Sequence, residues 1–253
     1  MAGSLAVDRP APGVVRVTIE HEAKRNALDR AVLDGLATVF AGLDARCVIL
    51  TGAGSVFSAG YDISNLAVEE AAELLTQPFE VALAALDAVP VPVVAAMNGS
   101  AFGGGLELAL ACDLRVCAAG AAVAMPPGRL GVVYSAAGLR RFVDAIGAAR
   151  TRELFLTARV VDAAEALRWG LVNSVVPAGE VAERAVALAS EIASLAPLSL
   201  RGNKRVLRAL DAPLDPALAA ELDALREAAF RSEDFAEGVR AFIEKRAPEW
   251  RGR

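Results

Sequence analysis

The chain is poor in the residue types on which most nucleophilic and metal sites depend. It has 253 residues but a single histidine, His21, and three cysteines, Cys47, Cys112 and Cys117. One histidine excludes every site that needs two, and a Ser-His-Asp arrangement would have to use that one residue. The cysteines are odd in number and lie in apolar stretches, so we expect reduced, buried thiols. No Cys/His group has metal-ligand spacing, and we expect no metal.

Features of nucleic-acid-binding and membrane proteins are also missing. The 26 Lys and Arg against 31 Asp and Glu give a net charge of −5, without the clustered basic face that nucleic acid requires. The longest apolar run, Ala88–Met97, is too short to span a bilayer and contains Pro90 and Pro92. Asp8 and Pro10 lie where a signal peptide needs an apolar core. We therefore expect a cytoplasmic protein that binds neither nucleic acid nor membrane.

Apolar side chains are what the chain has in excess. Its mean hydropathy is +0.42, which is high for a soluble protein. A chain of 253 residues forms one large domain, or one domain with an appendage, and can bury a sizeable core. The excess is expected in that core or in a subunit interface.

The pattern of elements is mixed at first and helical towards the end. Apolar or alternating segments predict strands at Val14–Glu20, Cys47–Leu50, Pro92–Met97, Leu114–Ala118 and Val172–Val176. Helical patterns cover Asp29–Leu43 (with Asp29 as N-cap), Val68–Leu86, Ala136–Ile146, Ala149–Leu156, Ala163–Trp169, Glu180–Ser194, Leu198–Leu210, Pro216–Phe230 and Asp234–Arg246. A turn is expected at Met125–Gly128. We place a boundary after residue 196, between a mixed α/β core (1–196) and a helical region (197–253).

Three consecutive glycines, Gly103 to Gly105, run directly into a predicted helix, Leu106–Ala111. Glycines at a helix start let a ligand approach the backbone, and the first amides of the helix have no intrahelical partner. Such a site suits an oxygen that gains negative charge during a reaction. Glu107 would lie in the first helical turn, close to that point. A tight turn before a buried helix would show the same pattern.

A second motif raises the significance of the first. The segment Phe57–Ile63 (FSAGYDI), followed by Asn98–Leu108 (NGSAFGGGLEL), resembles the crotonase, or enoyl-CoA hydratase/isomerase, superfamily. Further matches are Arg25–Leu28, Thr157–Arg159, Ala163–Val176 and Glu237–Arg246, so the resemblance covers nearly the whole chain. It implies an α/β fold, a spiral of repeated ββα units with a C-terminal helical region, assembled as a homotrimer or homohexamer. It also implies an acyl-CoA substrate and no cofactor beyond that coenzyme A.

The resemblance further implies a site for a thioester enolate. By position, the backbone amides of Tyr61 and Gly104 would hold the thioester oxygen, and Glu107 would transfer a proton. The coenzyme A would be bound by Ala59, Asp62 and Ile63 at the adenine, by Lys24 or Arg25 at the phosphates, and by Phe242 and Lys245 from a neighbouring subunit.

One departure from the family pattern concerns the second proton-transfer group. A syn-hydratase uses two glutamates around one water. The first would be Glu107, but Pro127 stands where the second belongs, and proline cannot transfer a proton. Ordinary hydration is therefore not expected.

The segment from Met125 to Tyr134 instead resembles the methylmalonyl-CoA decarboxylase branch, which has a tyrosine at the place of Tyr134. A phenol there would remain protonated at neutral pH and could orient a substrate carboxylate. We therefore predict decarboxylation of a malonyl-type CoA thioester such as methylmalonyl-CoA. The alternative is an enoyl-CoA hydratase or double-bond isomerase that uses Glu107 alone. A third reading is a non-catalytic acyl-CoA-binding protein, and the intact Glu107 argues against it.

Overall fold

The chain folds as an α/β protein, in a computed structural model that describes residues 2–62, 77–210 and 215–253. Within these ranges the strands are β1 (Ser4–Ala11), β2 (Val14–Glu20), β3 (Cys47–Gly52), β4 (Val56–Ser58), β5 (Val93–Met97), β6 (Ser100–Phe102), β7 (Leu114–Ala118), β8 (Ala122–Ala124), β9 (Val161–Asp162) and β10 (Ser174–Val176). The helices there are α1 (Arg30–Ala41), α2 (Gln77–Ala88), α3 (Gly104–Ala111), α4 (Pro127–Leu130), α5 (Ala136–Thr157), α6 (Ala163–Trp169), α7 (Val181–Ala193), α8 (Pro197–Ala209), α9 (Pro216–Phe230) and α10 (Glu233–Glu244).

The strands form two sheets, and from β3 to β8 consecutive strands alternate between them. The larger sheet has the order β1-β2-β3-β5-β7-β10, in which only β1 and β2 pair antiparallel among the described strands. The smaller has the order β4-β6-β8-β9. Thus β3, β5 and β7 each pass the chain to β4, β6 and β8 of the other sheet before it returns through a helix or connection. This alternation is the spiral of ββα units that the resemblance implies.

The core lies on the central strands of the larger sheet. Every residue of β5 is buried, as is expected of a parallel strand covered on both faces. Helix α7 packs across β3, β5 and β7, while α1 packs against α2. The three cysteines are buried and unpaired within this core, as predicted.

Most predicted elements are present, with local differences. Asp29 caps α1, and its carboxylate accepts the Val32 N–H at 2.9 Å. The two helices predicted between Ala136 and Leu156 form α5, interrupted at Gly147 by a φ of 73°. The turn predicted at Met125–Gly128 is wrong in its second half, because α4 begins at Pro127. Of the helix predicted at Val68–Leu86, the part before Gln77 lies outside the described residues.

Helices α8, α9 and α10 form the C-terminal region. They surround a cleft of about 910 Å³ whose lining is largely apolar and includes Leu198, Val206, Leu222, Phe230, Val239 and Phe242. Among the described helices, none combines the length and the apolar character needed to cross a bilayer.

Candidate active site

Helix α3 starts at the glycine run and is buried along its whole length. Gly103 precedes it with a φ of 52°, a conformation that favours glycine. The Gly103 N–H donates to the Ala124 carbonyl at 3.0 Å, which ties the start of the helix to β8. The first turn of α3 is therefore fixed in the interior of the protein.

The loop that carries Tyr61 packs directly against this helix start. A Cβ atom on Gly60 would lie 3.5 Å from the Gly104 nitrogen and 2.7 Å from the Phe102 carbonyl oxygen. A Cβ on Gly104 would lie 2.8 Å from Cζ of the Tyr61 ring. Both positions therefore need glycine, because any side chain would push the loop and the helix apart.

Two backbone amides remain available at this junction. The backbone of Leu28 is bonded to the residues on either side of Tyr61. The Leu28 N–H donates to the Gly60 carbonyl at 2.7 Å, and the Leu28 carbonyl accepts from the Asp62 N–H at 3.1 Å. This pattern points the Tyr61 N–H away from Leu28. Neither that amide nor the Gly104 amide donates to a protein acceptor in the described part of the chain. Two adjacent unpaired donors are suited to a ligand oxygen.

Two asparagines that we did not single out from the sequence hold the loop before Tyr61. The buried Asn26 side chain donates to the carbonyls of Ala53 and Val56 at 2.8 and 2.7 Å, and Asn98 donates to the Gly54 carbonyl at 2.7 Å. Both residues belong to the segments that carry the family resemblance. The available signal for Asn98 was its place directly after the apolar segment Val93–Met97, whereas Asn26 lies in a polar connection that singles out no residue.

Glu107 is the buried carboxyl group of the site, with 3% of the residue exposed. Its Oε1 faces α5 so closely that a Cβ on Gly138 would lie 2.7 Å away. Burial raises the pKa of Glu107 to about 7; the positive charge of Arg141 opposes this rise, and the negative charges of Glu80 and Asp87 add to it. Near neutral pH the group can therefore both donate and accept a proton.

Two tyrosines flank Glu107. Burial is the main cause that raises the pKa of both phenols, and the charge of Glu107 raises both further. Edge-on contacts fix the rings, between Tyr61 and Phe79 at 5.0 Å and between Tyr134 and Phe155 at 5.2 Å. Both hydroxyls therefore stay protonated at neutral pH, and the charge of Glu107 acts on the predicted Tyr134 as well as on Tyr61.

A line of charged side chains extends from the site to the C-terminal region. Arg141 of α5 forms a two-pronged ion pair with Asp87 at the end of α2, one prong being 3.1 Å long. Arg208 of α8 lies 3.7 Å from Asp87 and 3.7 Å from Asp113. The buried Lys204 lies 2.6 Å from Asp113. Sequence patterns do not predict this line, because its members are far apart in the chain.

The residues predicted to bind coenzyme A fall into separate groups. The Ala59 N–H donates to the Arg25 carbonyl at 2.9 Å, and the Asp62 carboxylate pairs with Lys24, so these four residues lie together. Ile63 lies outside the described residues. Phe242, 86% exposed, lines the C-terminal cleft, whose lining contains none of the residues around Glu107. Lys245 ends α10 in the same region.

Within the described ranges, one group has the composition of a metal site: His21, Asp29 and Asp62, whose ligand atoms lie within 4.8 Å of one another. These side chains are already engaged. Asp29 caps α1, Asp62 pairs with Lys24, and His21 Nδ1 lies 3.1 Å from the Ala27 carbonyl oxygen. A cation would have to displace the lysine ammonium group, so we assign no metal here.

Pro127 is the residue that replaces the second glutamate of the family pattern. It is buried and forms the first residue of α4. The position that would hold a second glutamate by family pattern therefore carries no proton-transfer group.

Known proteins are similar to this chain in both sequence and architecture. A profile of the family described as Enoyl-CoA hydratase/isomerase matches residues 10–253. The carnitinyl-CoA dehydratase of Salmonella typhi is 37% identical over 263 aligned positions that cover 100% of both chains. An enoyl-CoA hydratase structure from Bacillus anthracis has a TM-score of 0.89 and 33% identity, covering 98% of this chain and 99% of the other. An enoyl-CoA hydratase/carnithine racemase structure from Magnetospirillum magneticum has a TM-score of 0.89 and 32% identity, covering 98% and 96%.

The profile spans almost the entire chain, and so do these relatives, each at more than 30% identity. On that basis, the chain belongs to the enoyl-CoA hydratase/isomerase family of acyl-CoA enzymes.

Proposed function

We propose that the protein adds water to, or removes it from, a 2,3-unsaturated or 3-hydroxyacyl thioester of coenzyme A, with Glu107 as the group that protonates and deprotonates the α-carbon. One observation carries the proposal: a buried carboxyl group with a pKa of about 7 lies in the first turn of the helix that begins with the free Gly104 amide. An acid–base step at neutral pH needs such a group.

The two free amides supply the other requirement of this chemistry. Removing a proton from the α-carbon, or adding water to the β-carbon, places negative charge on the thioester oxygen. Hydrogen bonds from the Tyr61 and Gly104 amides would stabilise that charge, and losing one such donor typically costs about 10²–10³ in rate. Because both amides are fixed by packing against glycines, they need no rearrangement when the charge develops.

The relatives favour this reaction over the decarboxylation that the sequence led us to predict. Their names describe a dehydratase and hydratases. The position of Glu107 agrees with them, because an ionised carboxylate there would repel the carboxylate of a malonyl-type substrate. A double-bond shift, which needs one proton-transfer group, uses the same two amides and the same glutamate.

Decarboxylation remains the second candidate because of Tyr134. Its half-buried, protonated hydroxyl lies near Glu107 and could orient a substrate carboxylate, while Pro127 replaces the usual second glutamate. This candidate predicts that Tyr134→Phe lowers carbon dioxide release by roughly tenfold or more, since a buried hydrogen bond to a charged group contributes about 1.5–3 kcal/mol.

Coenzyme A binding is the remaining part of the proposal. We place the adenine end at Ala59, Asp62 and Ile63, and the phosphates near Arg25, on the surface where Arg25, Ala59 and Asp62 meet. Phe242 and Lys245 would contribute from a neighbouring subunit, which accords with their distance from Glu107 within one chain.

The test is incubation with crotonyl-CoA, carnitinyl-CoA and methylmalonyl-CoA separately in deuterated water, followed by mass spectrometry. We expect water addition to crotonyl-CoA or loss of water from carnitinyl-CoA, with deuterium at the α-carbon. Glu107→Gln should abolish both events. Carbon dioxide release from methylmalonyl-CoA without hydration of crotonyl-CoA would overturn the proposal in favour of the second candidate.

A further inference from the structure

This inference rests on the proposed hydration, which still lacks a group to accept one of the protons of the attacking water. When water adds to the β-carbon, a second group must take a proton from it, and Pro127 cannot do so. We propose that Glu80, in the first turn of α2, is this second carboxylate and faces Glu107 across the pocket.

The start of α2 is fixed beside the two free amides. Phe79, the residue before Glu80, contacts the Tyr61 ring edge-on at 5.0 Å. That ring lies over Gly104, where a Cβ would come within 2.8 Å of it. The first turn of α2 is therefore one side chain away from the place where the thioester oxygen would bind.

The contact that Asp87 makes near the other end of α2 shows which face of this helix lies nearest to Glu107. Asp87 reaches Arg141 of α5, and Arg141 is three residues after Gly138, the residue that Glu107 touches. Residues three apart on a helix share a face. Glu80 precedes Asp87 by seven residues, which is close to two full turns, so both lie on one face of α2. Glu80 thus occupies the pocket-facing stripe at the end nearer Tyr61.

The electrostatics agree with this placement. The negative charge of Glu80 raises the pKa of Glu107 and of Tyr61, so its carboxylate lies within reach of both. Asp87 on the same face is neutralised by Arg141, whereas Glu80 is exposed and has no ion pair or hydrogen bond with any residue that the structure describes. Glu80 is therefore a carboxylate that is exposed to water and whose charge acts on Glu107.

In the hydration we propose, each proton that leaves one group is taken up by another. The water oxygen forms a bond to the β-carbon while one of its protons passes to the Glu80 carboxylate. The π electrons of the double bond move into the thioester, whose oxygen becomes negative between the Tyr61 and Gly104 amides. The α-carbon then takes the proton of the neutral Glu107. Exchange with solvent returns the proton from Glu80 and restores Glu107, and dehydration follows the same steps in reverse.

Two reactions separate the roles of the two glutamates. Hydration of crotonyl-CoA needs both, whereas exchange of the α-hydrogen of butyryl-CoA with deuterated water needs Glu107 and the two amides alone. The variants are Glu80→Gln, Glu107→Gln and, as a matched control, Glu183→Gln, which removes an exposed first-turn carboxylate from α7. Each substitution keeps the shape of the side chain.

We expect Glu80→Gln to slow hydration by about 10²–10⁴ while α-hydrogen exchange stays within a few-fold of the unaltered protein. Glu80→Asp should recover part of the lost rate, and Glu183→Gln should change neither reaction. If Glu80→Gln hydrates as fast as Glu183→Gln, or loses both reactions equally, the assignment of Glu80 is wrong. If Glu107→Gln retains exchange, the proposed function itself is wrong, whatever Glu80 does.

Discussion

At the scale of single residues, the proposed site depends on Glu107, a carboxyl group whose ionisation is disfavoured by burial. Glu107 lies in a fully buried helix, its carboxyl group accepts no hydrogen bond from another described residue, and burial is the main reason that its pKa reaches about 7. The same burial that prepares the group for proton transfer opposes its ionisation in the native state. Activity and stability should therefore conflict at this position.

This conflict can be measured in the pH dependence of unfolding. A carboxyl whose folded pKa is raised from 4.5 to about 7 binds more protons in the native state, so stability falls as pH rises between these values and is level above them. At about 1.36 kcal/mol per pKa unit the loss is about 3 kcal/mol. Glu107→Gln should therefore gain about that much relative to the unaltered protein between pH 4.5 and 8.

Urea unfolding of both proteins at several pH values gives this difference directly. A constant cost of burying the amide cancels, because only the change with pH is compared. A difference that stays the same from pH 4.5 to 8 would show that Glu107 is ionised as easily in the folded protein as in the unfolded chain.

The sequence predicts Glu107 as a candidate site residue but not Glu80, because only Glu107 lies in a recognisable local pattern. Glu107 is two residues past a glycine run, so its place in the first helical turn follows from local spacing. Glu80 lies within an ordinary helical pattern, and its relevance depends on where α2 packs against Tyr61 and α5. Sequence patterns report the local conformation of a segment, whereas a contact between distant segments needs the fold.

At the scale of elements, α2 and α5 set the charge around Glu107 through the Arg141–Asp87 pair. Arg141 lowers the pKa of Glu107 and Asp87 raises it. Removing either partner breaks the same ion pair, so a purely structural effect would be similar in both variants. The electrostatic effects have opposite signs.

We therefore expect Arg141→Met to raise the pKa of Glu107 and Asp87→Asn to lower it, each by roughly one unit. The carbon-13 NMR signal of the Glu107 carboxyl, identified by its absence in Glu107→Gln, reports the titration. Shifts in the same direction in both variants would contradict the electrostatic role of this pair.

Element predictions from the sequence succeeded where apolar periodicity was strong, but they missed β1 and the four strands of the smaller sheet, which are two or three residues long. Strand β1 was not predicted, since Ser4–Ala11 contains Asp8 and Pro10 and is only partly buried. It exists because β2 offers it a pairing partner along most of its length. An edge strand can tolerate proline, because one side of its backbone is not paired within the sheet.

At the scale of the whole molecule, exposed large apolar side chains are concentrated in the C-terminal helices α8, α9 and α10 of the described chain. Leu207 on α8 is 65% exposed, and Phe242 and Ile243 on α10 are 86% and 71% exposed. Phe242 lines the cleft formed by α8, α9 and α10, and Leu207 and Ile243 directly follow the lining residues Val206 and Phe242 in the chain. Apolar patches of this kind are typical of interfaces between protein chains.

We therefore retain the expectation of a homotrimer or homohexamer built through these helices. Light scattering at micromolar concentration should give about three or six times the monomer mass of 26.2 kDa. The double variant Leu207→Asp/Ile243→Asp should lower that mass, because assembly would bury two unpaired charges. The control Val7→Asp/Val160→Asp changes two apolar residues that are 51% and 55% exposed outside this region, and it should leave the mass unchanged. A monomeric mass for the unaltered protein would contradict the assembly, and with it the contribution of Phe242 and Lys245 to coenzyme A bound by a neighbouring subunit.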